Sequence, residues 1–176
     1  MIRNRCSELT FAEAKKLLLQ CTADEQLIKH CAAVSTKATQ IASAIKKNGH
    51  TVNLEFVRVA ALLHDIGRIK SHMNHGLVGG EIIRFLGYPR IAQAVERHGG
   101  KGFWAAGLEN MTLEEKIIFY ADKRVDGDKT VSIRERYDGL IQRRTAAGRA
   151  AEVPLIKKEF ELSQRLESEL NGLMRK

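Results

Sequence analysis

The amino-acid sequence predicts an all-α fold, and three observations carry that expectation. A hydroxyl residue followed three positions later by glutamate, the start signal of a helix, occurs as Thr10-x-x-Glu13, Thr22-x-x-Glu25, Thr112-x-x-Glu115 and Ser132-x-x-Glu135. Gly49, Gly67, Gly87 and Gly127 fall where helices should stop, because glycine takes the left-handed C′ conformation without steric cost. Apolar residues recur at helical spacing, and no stretch alternates as a strand does.

Taken in order, these marks predict helices at about 11–20, 23–47, 53–66, 75–86, 89–98, 112–126, 132–147 and 154–173. In the second, Leu27, His30, Cys31, Val34, Ala38, Ile41, Ala42 and Ile45 share one stripe, which turns His30 toward the core. The third is apolar around much of its circumference (Phe56, Val57, Val59, Ala60, Leu62, Leu63) and belongs at the centre. Gly87-Tyr88-Pro89 reads as a C-cap glycine followed by a proline in the first turn of the next helix. Segments 66–76 and 99–111 read as loops, since glycines and polar residues interrupt their periodicity. Phe103 and Trp104 in the second loop either fold onto the core or stack on a nucleobase. The last two helices form a charged hairpin.

A chain of 176 residues, 44% hydrophobic and 28% charged, is expected to form one globular domain over 1–176. Its net charge of +8 favours anionic partners such as nucleotides, phosphorylated metabolites or RNA. No apolar run approaches the ~20 residues of a membrane span, and the stretch MIRNRCSELTF has no secretory core. Cys6, Cys21 and Cys31 form no CxxC pair, which suits free thiols. A cytoplasmic chain with no membrane partner is expected.

His64-Asp65 closes the most hydrophobic helix, where an ionised aspartate costs several kcal/mol unless it is paired or bound to a cation. Arg68 is the nearest cation, so a salt bridge is one solution and a metal ion the other. Imidazole and carboxylate together suit Zn, Mn or Fe(II), and neighbouring residues can converge on one ion only where the helix ends. His30 and Asp122, the latter after Ile117-Ile118-Phe119-Tyr120-Ala121, stand where core residues normally would. Each also has an ordinary explanation, a satisfied core histidine and an ion pair with Lys123.

The order His30, His64-Asp65, Asp122 resembles the H…HD…D pattern of the HD superfamily of metal-dependent phosphohydrolases, with His64-Asp65-Ile66-Gly67 as its HDIG variant. The resemblance covers roughly residues 23–127 and implies a compact bundle of about seven to eight helices, with 132–176 as a C-terminal extension. It further implies that His30, His64, Asp65 and Asp122 hold one divalent metal. His75 and His98 resemble the extra histidines of binuclear members, in which the aspartate of the pair bridges two ions. His72, in the same segment as His75, is the alternative ligand. TLEEKIIFYADK and HGLVGG are similar to stretches of the bacterial HD-type enzymes that split dinucleoside tetraphosphates symmetrically, although the runs after the HD pair and after the last aspartate differ.

The activity so implied is hydrolysis of a phosphate ester or anhydride by metal-activated water, with one or two ions drawn from Fe, Mn, Zn, Ni, Co or Mg. Asp65 then orients the water, while Arg68 and Lys123 contact phosphate unless neighbouring acids claim them. The expected partner is a phosphorylated small molecule, a nucleotide above all. Two rivals remain. One is a non-catalytic nucleotide sensor; the other is a nucleic-acid-binding protein using Arg143-Arg144 and Lys157-Lys158.

Overall fold

The computed structural model describes residues 8–71 and 73–175. Among them the helices are α1 (Phe11–Cys21), α2 (Glu25–Lys47), α3 (Leu54–Leu63), α4 (His75–Phe85), α5 (Pro89–Arg97), α6 (Gly100–Ala106), α7 (Leu113–Lys123), α8 (Ile133–Ala146) and α9 (Val153–Leu173). Short 3₁₀ turns occupy Ile66–Ile69, Leu108–Asn110 and Ala150–Glu152, and a small antiparallel ladder, β1 (Val125–Asp126) with β2 (Lys129–Thr130), joins α7 to α8. The fold is all-α, as expected.

Thr10, Thr112 and Ser132 each close a capping box at the start of α1, α7 and α8. At α2 the expected box does not form. Asp24 is the N-cap there and accepts from Gln26 and Leu27, because an aspartate two residues closer to the helix is the stronger acceptor for its first amides. Thr22 instead accepts from the Asp24 amide. The expected helix 112–126 stops at Lys123, since Gly127 (φ +61°) makes the turn of the ladder that the sequence pattern did not reveal. Segment 99–111, expected as loop, contains α6, whose Phe103 ring stacks on Phe119 with centroids 4.3 Å apart.

The centre of the molecule is α3. Every residue from Phe56 to Leu63 except Arg58 is buried, and the helix packs against α1, α2, α5 and α7. A helix apolar around most of its circumference can lose its water only in such a position. Glu115 links α7 to α5, since its buried carboxylate completes the Thr112 capping box and also accepts from Arg97 at 3.0 Å and Gln93 at 2.9 Å.

The helix α4 lies close against α5 and the Ile66–Ile69 turn through Gly76, Gly79 and Gly80. Gly67 was expected as a left-handed helix stop, but its φ is not positive. It is required for contact: a Cβ there would lie 2.0 Å from the His75 carbonyl oxygen and 2.5 Å from the Gly79 nitrogen. The C-terminal hairpin, α8 on α9, is seated on α7. There the Tyr120 hydroxyl donates to Glu167 at 2.7 Å and accepts from Arg124 at 2.7 Å.

Gly67→Ala should lower stability by about 1–3 kcal/mol or more in thermal denaturation, because backbone must move to admit the methyl group. Gly172→Ala, where a Cβ meets nothing within 4 Å, should leave it unchanged or slightly raised. Burial and the Glu167 carboxylate push the Tyr120 hydroxyl up to about 12. The folded state thus favours the neutral phenol, and that contribution is complete below the ordinary phenol pKa of ~10 and lost as pH rises through the folded value. Melting curves between these limits should fall less steeply for Tyr120→Phe than for wild type.

Candidate metal centre

At the end of α3 the backbone of His64 is still helical (φ −54°, ψ −37°), whereas Asp65 (φ −101°, ψ 10°) has left the helical path. That break lets two consecutive side chains face the same interior space. His30 arrives from α2, His75 from the first position of α4, His98 from the end of α5 and Asp122 from the last turn of α7.

Three of the imidazoles are anchored in the same way. His30 donates through Nδ1 to the Gly127 carbonyl at 2.7 Å, His64 to Ala61 at 2.8 Å, and His98 to Val95. A carbonyl only accepts, so the proton belongs on Nδ1 and each neutral ring turns its Nε2 lone pair inward. There the lone pairs meet carboxylate oxygens. Asp65 Oδ2 lies 3.7 Å from His30 Nε2 and 3.7 Å from His64 Nε2, while Asp122 Oδ1 lies 3.2 Å and 3.6 Å from the same two atoms. On the other side, Asp65 Oδ1 is 3.2 Å from His75 Nε2 and 3.5 Å from His98 Nε2, which are themselves 3.2 Å apart.

Acceptors facing acceptors at these distances repel unless a cation or a proton lies between them. His64 Nε2 is fully buried with no hydrogen-bond partner among the described residues, and an unsatisfied buried group of this kind costs about 1–3 kcal/mol. Two groups of donor atoms, His30 with His64 and Asp65, and Asp65 with His75 and His98, are each gathered within 4.8 Å. The residues therefore fit divalent ions of the type that imidazole and carboxylate bind.

Burial pushes the Asp65 carboxyl up, but His64, His98 and His75 outweigh it and hold it well below the usual range. Burial likewise opposes ionisation of Asp122, and Lys123, His30 and His64 reverse the effect. Burial disfavours a charged His30, yet Asp122 and Asp65 raise its pKa.

The cations at the rim are engaged. Arg68 lies 3.0 Å from Asp65 Oδ2, with 43% of its side chain exposed. Lys123 is half-buried, 2.9 Å from Asp122 Oδ2 and 3.4 Å from Glu159 on α9. Each therefore forms the ion pair that was its ordinary explanation in the sequence. Cys31 is buried, and burial pushes its thiol up; it is in neither of the two groups of donor atoms. His50 is exposed, and His72 lies outside the described residues.

Two participants escaped the sequence patterns. Gly127 orients His30 through its carbonyl, which no side-chain motif encodes. Glu159 reaches Lys123 from a helix whose charged residues read as solvated, and its only local signal is a position beside half-buried Phe160.

The comparisons with known proteins bear on the same segment. The family model of the HD domain matches residues 27–125. An uncharacterised protein of Methanocaldococcus jannaschii is 42% identical over 128 residues, 66% of this chain and 76% of that protein. A tRNA (cytidine(56)-2'-O)-methyltransferase of Picrophilus torridus is 31% identical over 128 residues, 66% of this chain and 36% of its own length. The corresponding enzyme of Thermoplasma volcanium is 34% identical over 134 residues, 69% of this chain and 38% of its own length. The chain thus spans little more than a third of these two methyltransferases. No solved structure matches significantly. With the family model covering more than half of its length and the six clustered histidines and aspartates all inside the matched segment, the chain belongs to the HD-domain family.

Proposed function

We propose that this chain is a metal-dependent phosphohydrolase that cleaves a phosphate ester or anhydride of a nucleotide or related metabolite. The observation that carries the reading is the division of Asp65, with Oδ2 facing His30 and His64 and Oδ1 facing His75 and His98. His30, His64, Asp65 and Asp122 would hold one divalent ion, and Asp65, His75 and His98 a second. Such ions supply a water acidic enough to ionise near neutral pH and offset charge on phosphoryl oxygens.

The chain's own groups do the rest. Asp65, held from outside by Arg68, is placed to orient the attacking water. Arg68 spends one nitrogen on Asp65 and presents the exposed remainder of its fork to a phosphate at the mouth. Lys123 fixes Asp122 and stands beside Gly99, with Glu159 setting its position. The similarity of TLEEKIIFYADK to the dinucleoside tetraphosphatases makes dinucleoside polyphosphates the first substrates to test.

RNA is the second reading, favoured by the net charge of +8 and by the tRNA-directed names of two relatives. Against it, Arg136 and Arg143 share Asp126, and Arg144 and Arg149 share Glu152, so four arginines of this region already have carboxylate partners. No described helix is long and apolar enough to cross a membrane.

Purified wild type should contain up to two equivalents of divalent metal and hydrolyse members of a panel of mono-, di- and dinucleoside polyphosphates. Asp65→Ala should lose metal and at least about a hundredfold in activity, and full retention of both would sink the proposal. His98→Ala and His30→Ala should each remove a different one of two ions in metal analysis. Glu159→Gln should keep the metal yet lose about tenfold in kcat/KM, the effect of releasing one charged contact to Lys123; unchanged kinetics would remove Glu159 from the site.

A further inference from the structure

Two helical turns beyond His30 on α2, a cavity of about 170 Å³ opens between α2, α7 and α9. Its polar lining is Lys37, Gln40, Tyr120, Arg124 and Asn171, and no carboxylate lines it. Lys37 is half-buried and makes no hydrogen bond or ion pair among the described residues. Arg124 directs Nε to the Val131 carbonyl at 2.7 Å and Nη1 to Tyr120 and Glu167, which leaves Nη2 without an acceptor among the described residues.

Two cations with unspent donors therefore face one small space. Burial and the neighbouring Arg124 charge both push the Lys37 ammonium pKa down, the signature of a positive charge that lacks its counter-ion. The carboxamides of Gln40 and Asn171 add neutral donors around the same space. Pockets for drug-sized ligands run about 300–1,000 Å³, so this one suits a small anion. A phosphate group offers acceptors in several directions, which matches donors arriving from three helices; a carboxylate offers only two oxygens.

We propose that this cavity is a phosphate-binding site separate from the metal centre, with Lys37 and Arg124 as its charged contacts and Gln40 and Asn171 as neutral ones. Occupied, it ties α2, which carries His30, to α7, which carries Asp122.

Calorimetric titration of the intact, Mn-loaded chain with inorganic phosphate tests the site. Wild type should show a binding event that Lys37→Gln weakens about tenfold or more, the loss expected for one charge-assisted contact. Asn171→Asp, which puts a carboxylate into the cavity without touching α2, should do the same, and both variants should keep wild-type helicity and Mn content. Isotherms of the folded variants that superimpose on wild type would overturn the proposal. So would phosphate binding that disappears only in Asp65→Ala, because all of it would then belong to the metal centre. Acetate binding as tightly as phosphate would overturn the choice of anion. Phenylphosphonate distinguishes the sources: Lys37-dependent competition supports a phosphate carried on a larger molecule, and its exclusion supports free phosphate.

Discussion

A carboxylate placed at the end of a largely buried apolar helix loses its water, and the several kcal/mol this costs must be recovered from a cation or from donating partners. Around Asp65, among the described residues, only Arg68, on the following turn, donates directly; His30 on α2, His64 beside it, His75 on α4 and His98 after α5 converge on its two oxygens with the donor set that a shared cation would complete. Much of the surrounding architecture follows from this convergence. The close approach of α4 through Gly67 and Gly79 brings His75 within reach, and the Nδ1 anchors of His30, His64 and His98 keep three lone pairs aimed at the same volume. Glycines that weaken a helix locally are tolerated in α4 because they allow contact there.

From this centre a polar chain runs outward into the C-terminal hairpin. Asp122 holds Lys123, Lys123 meets Glu159, Glu159 accepts from the Tyr137 hydroxyl at 3.0 Å, and that hydroxyl lies 2.8 Å from Ser163. Burial pushes the Tyr137 hydroxyl pKa up and keeps its proton available to donate. Tyr137, Glu159 and Ser163 lie beyond the segment matched by the family model, so the extension is joined to the candidate metal centre through a path of ion pairs and hydrogen bonds. A partly broken path of this kind would leave buried polar groups without partners, which gives the hairpin a physical reason to stay docked.

The helices were legible in the chain because their signals are local. Capping boxes at Thr10, Thr112 and Ser132, the apolar circumference of α3 and the inward stripe of α2 involve residues within a few turns of one another. The H…HD…D order was legible too, since it depends on residue type and sequence. The misreadings arose where two neighbouring groups compete for one role or where distant segments need the same residue. Asp24 displaced Thr22 as a cap, Gly67 served α4 instead of its own helix end, and the α7 helix gave way to a ladder whose Gly127 carbonyl is needed by His30.

Residue order alone therefore determines the helical class and the set of groups able to share a cation, because spacing and chemistry suffice for both. It does not determine that Asp65 offers one oxygen to each of two histidine pairs, that Lys123 is held by Glu159, or that Lys37 and Arg124 face one cavity. Those relations join residues tens of positions apart, and their distances arise only when packing brings the helices together.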